Sequence, residues 1–98
     1  MYFEDIIDSK IRPVLVIGFE DNLIIVGKMT THEPRAYYQY EYAITDWKGA
    51  GLHHPTTLRL SQIVKYDPTC FIKKIGSVQP VDQISIMKML NLIFPSTT

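Results

Sequence analysis

Val14 to Ile17 is an unbroken apolar run, the mark of a strand buried on both faces. A second run, Leu23 to Val26, continues through Gly27 and Lys28 to Met29. Gly18 and the FEDN segment, Phe19 to Asn22, read as a turn between them, so the two runs predict a β-hairpin. Thr30 to Tyr38 is a loop centred on Pro34. Tyr38, Tyr40, Tyr42 and Ile44 then alternate with polar or small residues, which predicts a third strand. Asp46 to Pro55, DWKGAGLHHP, holds two glycines and a proline and reads as a loop. Thr57 to Val64 is again rich in strand formers, and YDPT, Tyr66 to Thr69, is a turn. Cys70 to Ile75 is a short apolar segment, a strand or a helical turn, closed by Gly76.

The period changes near the end. Val81, Ile84, Met87 or Met89, Leu90 and Ile93 follow helical spacing. Ser77 or Gln79 falls near the N-cap, Pro80 in the first turn where a missing N–H costs nothing, and Pro95 ends the helix. The pattern predicts a small, mostly antiparallel β-barrel or curled sheet with one C-terminal helix. That helix carries more apolar residues than one stripe needs, so it either plugs a barrel end or also meets a partner.

A chain of 98 residues makes one domain, and 46% apolar with 20% charged residues excludes a disordered chain. Zero formal net charge excludes a bulk polyanion binder, but the charge is uneven. Lys48 to Lys74 holds five basic residues against Asp67, and the first 21 residues hold five acids against Lys10 and Arg12. A neutral total can therefore hide a local positive face. Cys70 is the only cysteine, which excludes an intramolecular disulfide and fits a reducing, cytoplasmic setting. The acidic start MYFEDIIDSK lacks the features of a signal peptide, and no apolar run approaches a membrane span.

Most catalytic signatures are absent from the sequence. His32, His53 and His54 do not fall at zinc spacing. There is no acidic cluster of a magnesium site, no phosphate-binding glycine loop and no nucleophile elbow. An enzyme built on this chain is expected to work without metal or organic cofactor.

What remains is Arg12, between Lys10 and the buried run. Pro13 follows it, drives it into an extended conformation and so aims the guanidinium. Such a group is either a solvated end-cap or an anion ligand whose planar fork suits phosphate. If the two hairpin strands pair, the segment KMTTH brings Thr30, with His32 on the same face and Thr31 on the other, to the end where Arg12 lies. One reaction needs no metal from such a set. In RNA transesterification the substrate's own 2′-hydroxyl attacks its phosphate, and the protein aligns the attack, moves protons and stabilises charge. DNA, lacking that hydroxyl, is spared.

RPVLVIG, a strand ending in KMTTH, ITDWKGAGLHHPTTLRL and IGSVQPVDQISIMKML, in that order, resemble the MazF/PemK family of toxin endoribonucleases over Lys10 to Ile93. The resemblance implies an SH3-like barrel of the MazF/PemK/CcdB kind with a C-terminal helix, acting as a homodimer. It implies sequence-specific cleavage of single-stranded mRNA to a 2′,3′-cyclic phosphate. A cognate antitoxin would neutralise the toxin by laying a flexible tail over the dimer. The family's catalytic arginine falls on Arg12 and its catalytic threonine on Thr30. Lys10, Thr31, His32, Lys48, His53, His54 and Arg59 are candidate RNA contacts, with Lys73 and Lys74 on the same positive face. Tyr37 and Tyr38 are open between stacking and packing, while Tyr40, Tyr42 and Trp47 are expected to pack. The chain departs from the family at its start, where MYFED and IIDSKI replace a longer glycine-containing loop. Two alternatives keep the fold without the chemistry: a catalytically degenerate member, or a toxin that binds a protein such as DNA gyrase. The tail NLIFPSTT lacks the aromatic-glycine ending expected of the latter.

Overall fold

A computed structural model of the chain describes residues 1–35 and 39–94. Tyr37, Tyr38 and the tail from Pro95 lie outside the described residues. The described elements are β1 (Tyr2–Asp8), β2 (Lys10–Glu20), β3 (Leu23–Thr30), β4 (Glu41–Ala43), β5 (Thr57–Tyr66), β6 (Phe71–Ser77) and α1 (Pro80–Ile93), with a 3-10 turn at Pro68–Cys70. All strand pairs are antiparallel, in the order β4-β5-β3-β2-β1-β6. Among the described residues the edge strands β4 and β6 do not pair with each other, so of the expected barrel or curled sheet the chain forms an open, bent sheet. Bulges between Val16 and Gly18 and between Gly27 and Lys28 help to bend it.

The apolar run in β2 is covered on both faces, as its pattern predicts. Leu15 joins Phe3, Leu58, Leu60, Ile86 and Leu90 in one core, while Val14 and Val16 join Ile6 and Val26 in a second. Each such side chain contributes about 1.5–3 kcal/mol by leaving water. The strand itself is longer than expected. It begins at Lys10, so Arg12 and Pro13 lie within it rather than at its mouth.

Strand β1 was not predicted. Its sequence YFEDIID has only Phe3 and Ile6 fully buried, three residues apart, because each enters a different core. Across the ladder to β6, Glu4 registers with Lys74 and Asp5 with Lys73. Glu20 and Lys65 pair at 2.9 Å. Part of the charge asymmetry thus sets acids of β1 and β2 opposite or beside bases of β5 and β6.

The tyrosine strand is shorter than its alternation suggests. Tyr40 takes φ +63°, which breaks the strand, and only Glu41–Ala43 pairs with β5. Tyr40, Tyr42 and Trp47 pack against the first core, as expected. Cys70 closes the 3-10 turn and Gly76 lies inside β6, so the segment is both turn and strand.

Helix α1 starts at Pro80 with Gln79 as N-cap. It buries Asp82, Ile86 and Leu90, and Asp82 fastens it to the 42–46 segment. Its carboxylate accepts hydrogen bonds from the Tyr42 phenol and from the backbone N–H groups of Thr45 (2.7 Å) and Asp46 (2.9 Å). The surplus apolar residues, Val81, Ile84, Met87, Leu92 and Phe94, face away from the core and are exposed.

The AGL and IG motifs meet in space. A Cβ on Gly76 would fall on the Ala50 carbonyl oxygen, and Gly51, at φ +90°, lies against the Ile75 carbonyl. Two glycines let the loop backbone lie directly on β6.

Candidate active site

The site arises where the sheet forks. From Glu20 back to Val14, β2 pairs with β3, and the last rung is Val14 with Lys28. Two more rungs would set Arg12 beside Thr30. Pro13 has no N–H to donate, and the ladder stops there. The start of β2 stays with β1, where Arg12 registers with Ile6 and Pro13 with Asp5. The end of β3 goes with β5, where Met29 registers with Leu58 and Thr30 with Thr57. Two cavities, about 350 and 300 Å³, open between the diverging strands, and Arg12, Pro13, Met29 and Thr30 line both.

Arg12 is exposed and makes no hydrogen bond or ion pair with another described residue. Its five donors are available to a ligand. Thr30 differs, since its Oγ1 accepts the backbone N–H of His32 at 3.3 Å. That contact occupies an acceptor position and leaves the hydroxyl proton to donate. The pair can therefore offer a charged fork and a neutral donor to one anionic oxygen group.

Other sequence candidates fall along the same groove. Lys10 and Thr31 line the 300 Å³ cavity. Thr31 also lines a third cavity, about 600 Å³, with His53, His54 and Lys73, and Pro13 is common to all three. Arg59 lines the first cavity, but its Nε is bound to Glu41 Oε2 at 3.1 Å. Glu41 also accepts the Arg35 backbone N–H at 2.9 Å, which with the nearby guanidiniums holds its carboxyl below the usual range. His32 is exposed and Lys48 Nζ sits 5.4 Å over the Trp47 ring; neither side chain lines these cavities.

Four groove residues were missed from the sequence: Asp8, Lys28, Gln62 and Tyr66. The Tyr66 phenol donates to Asp8 Oδ2, and Lys28 Nζ lies 3.7 Å from the same oxygen. Burial first and the Asp8 carboxylate second push the Tyr66 phenol up to about 12. The Tyr66 hydrogen bond, with Lys28 nearby, holds the Asp8 carboxyl below its ordinary value. Nothing local marks these four, because Asp8 and Tyr66 are 58 positions apart and meet only through the sheet. One turn makes this possible: Ser9, at φ +59°, alone joins β1 to β2 between the registered Asp8 and Lys10.

Comparison with known proteins agrees with this architecture. The family model of the PemK-like, MazF-like toxins of type II toxin-antitoxin systems matches residues 5–94, and the chain belongs to that family. Among solved structures the fold is similar to that of Mycobacterium tuberculosis toxin MazF-mt6. The TM-score is 0.75 at 15% identity, covering 96% of each chain. Comparison with curated proteins finds no match. No helix among the described residues is long and apolar enough to cross a membrane.

Proposed function

We propose that this chain is an endoribonuclease toxin that cleaves single-stranded mRNA at a short sequence, without a metal ion, in the cytoplasm. Membership of a toxin family whose members are typically ribonucleases supports the class. The observation that carries the chemistry is the fork, with Arg12 and Thr30 on the wall shared by two cavities. A phosphodiester held there would have its non-bridging oxygens against the Arg12 guanidinium and the Thr30 hydroxyl.

In the reaction the 2′-oxygen attacks phosphorus, the bond to the 5′-oxygen breaks, and a 2′,3′-cyclic phosphate and a 5′-hydroxyl result. One proton leaves the 2′-hydroxyl and one reaches the departing oxygen. Arg12 stabilises the charge that builds on phosphorus and takes part in the proton transfer. Thr30 donates to a non-bridging oxygen. Lys10, Thr31, His53, His54 and Lys73 line the groove beyond, where they would hold flanking nucleotides mainly through phosphate. The antitoxin is a protein that would cover this groove, and the toxin works as a homodimer.

The test is incubation of antitoxin-free protein with a cellular RNA pool, followed by mapping of new ends. The reading requires new 5′-hydroxyl ends at a recurring short sequence, each matched by a cyclic phosphate. Intact RNA beside a stable complex with a gyrase subunit would replace it with the protein-target alternative.

A further inference from the structure

We infer that the cavity holding Asp8 is a base-reading pocket that selects a nucleobase with an exocyclic amino group, over uracil, beside the cleaved phosphate. The inference rests on the RNA-cleavage reading and specifies its substrate.

The 350 Å³ cavity has one odd member for a polyanion's binding site. Lys10, Arg12, Lys28 and Lys73 suit phosphate, but Asp8 lines the same 350 Å³ cavity as Arg12 and Thr30. A carboxylate repels phosphate, so the part of the ligand that reaches Asp8 must be a hydrogen-bond donor. In a strand of RNA the donors are base N–H groups and ribose hydroxyls. The carboxylate is also fixed. Tyr66 and Lys28 both engage Oδ2, and Oδ1 has no hydrogen bond among the described residues. One acceptor is thus left over, on a side chain that cannot swing away without breaking the Tyr66 contact.

Adenine, cytosine and guanine each carry an amino group that a carboxylate can accept from. Uracil instead sets carbonyl oxygens on both sides of its one imino N–H, and these face the carboxylate as acceptor against acceptor. Lys28 and Gln62 on the same wall supply donors for the ring nitrogen or carbonyl next to the amino group. Because Arg12 and Thr30 belong to both neighbouring cavities, a base in this pocket is attached to the phosphate they hold.

The test uses short synthetic RNAs that differ only at the nucleotides flanking one defined phosphate, which is the mapped cleavage site where cleavage occurs. Cytosine is compared with uracil, and adenine with purine, which lacks only the amino group. Each RNA is also made with a 2′-deoxy nucleotide at the cleaved position, so that binding is read without cleavage. Full-length wild type, Asp8→Asn and Tyr66→Phe are compared, with thermal melts to confirm folding. At one flanking position wild type is expected to favour the amino-bearing base by about tenfold or more. Asp8→Asn should bring that ratio close to one, and Tyr66→Phe, which frees the carboxylate to move, should lower it partway.

Cleavage whose base preference is the same in folded Asp8→Asn overturns the pocket and leaves the nuclease reading intact. So does a wild-type preference for uracil, or one that follows the ribose hydroxyl alone. Base-selective binding by a protein that never cleaves upholds the pocket and overturns the nuclease reading. A wild type that neither binds nor cleaves overturns both.

Discussion

Thr30 Oγ1 accepts the His32 backbone N–H at 3.3 Å, so at the fork between β2 and β3 the Thr30 hydroxyl keeps its proton free to donate. Removing that hydroxyl should cost an interaction with a charged oxygen, about 1.5–3 kcal/mol, or about ten- to a hundredfold in cleavage rate. Thr30→Val is expected to show that loss with an unchanged melting curve. Thr30→Ser, which keeps the donor, should retain most of the activity. Single-turnover cleavage of one synthetic RNA measures all three proteins.

Two glycine positions should respond oppositely to the same change. A Cβ at Gly76 meets the Ala50 carbonyl oxygen, a backbone atom that cannot rotate aside. Gly76→Ala is expected to destabilise by more than about 3 kcal/mol as the Ala50–Gly51 loop lifts from β6. A Cβ at Gly18 meets nothing within 4 Å. Gly18→Ala should be neutral or stabilising by up to about 1 kcal/mol, since it only reduces the freedom of the unfolded chain. Denaturant midpoints decide both.

Asp82 links helix to sheet, and its removal strands buried donors. Asp82→Ala should cost about 2–4 kcal/mol, and Tyr42→Phe about 1 kcal/mol. Burial pushes the Asp82 carboxyl up, but the bonds from Tyr42, Asp46 and Thr45 outweigh it and leave it below its ordinary value. A depressed carboxyl contributes stability that is complete above the unfolded value, near ~4, and is lost as pH falls through the folded one. Stability should therefore fall below about pH 4 in wild type, and Asp82→Asn should fall less steeply over that window.

Tyr66 makes the opposite prediction at the alkaline end. Its phenol is raised from its ordinary value to about 12. A raised phenol contributes stability that is complete below about pH 10 and lost as pH rises through the folded value. Phenolate absorbance should show a late step near pH 12 that disappears in Tyr66→Phe. Asp8→Asn should move that step toward lower pH.

The hairpin, the doubly buried run in β2, the 80–93 helix and the packing of Trp47 were legible because each is written in a local period or a local glycine. Arg12 and Thr30 were legible as types near strand ends, and the family motifs named them. Strand β1 was not legible, since its two core residues serve different cores and its acids mimic a solvated terminus. Without β1 the proline's effect was misplaced. Pro13 lies inside β2, where the ladder to β3 has ended while the ladder to β1 runs on, and the cleft opens between the two. Asp8, Lys28, Gln62 and Tyr66 were hidden for the same reason, because their convergence depends on which strands flank β2 and β3.

In the proposed reaction Arg12 holds, within the fork, a phosphate under attack by its own 2′-hydroxyl. The most direct measurement compares wild type and Arg12→Ala on a synthetic RNA and its 2′-deoxy twin, with a metal chelator present and no antitoxin. Arg12 is exposed, so its replacement should leave the fold intact. Wild type should cleave only the RNA, and Arg12→Ala should be slower by about 10²–10³-fold. Cleavage of the deoxy twin, abolition by the chelator, or full activity in Arg12→Ala would contradict the account.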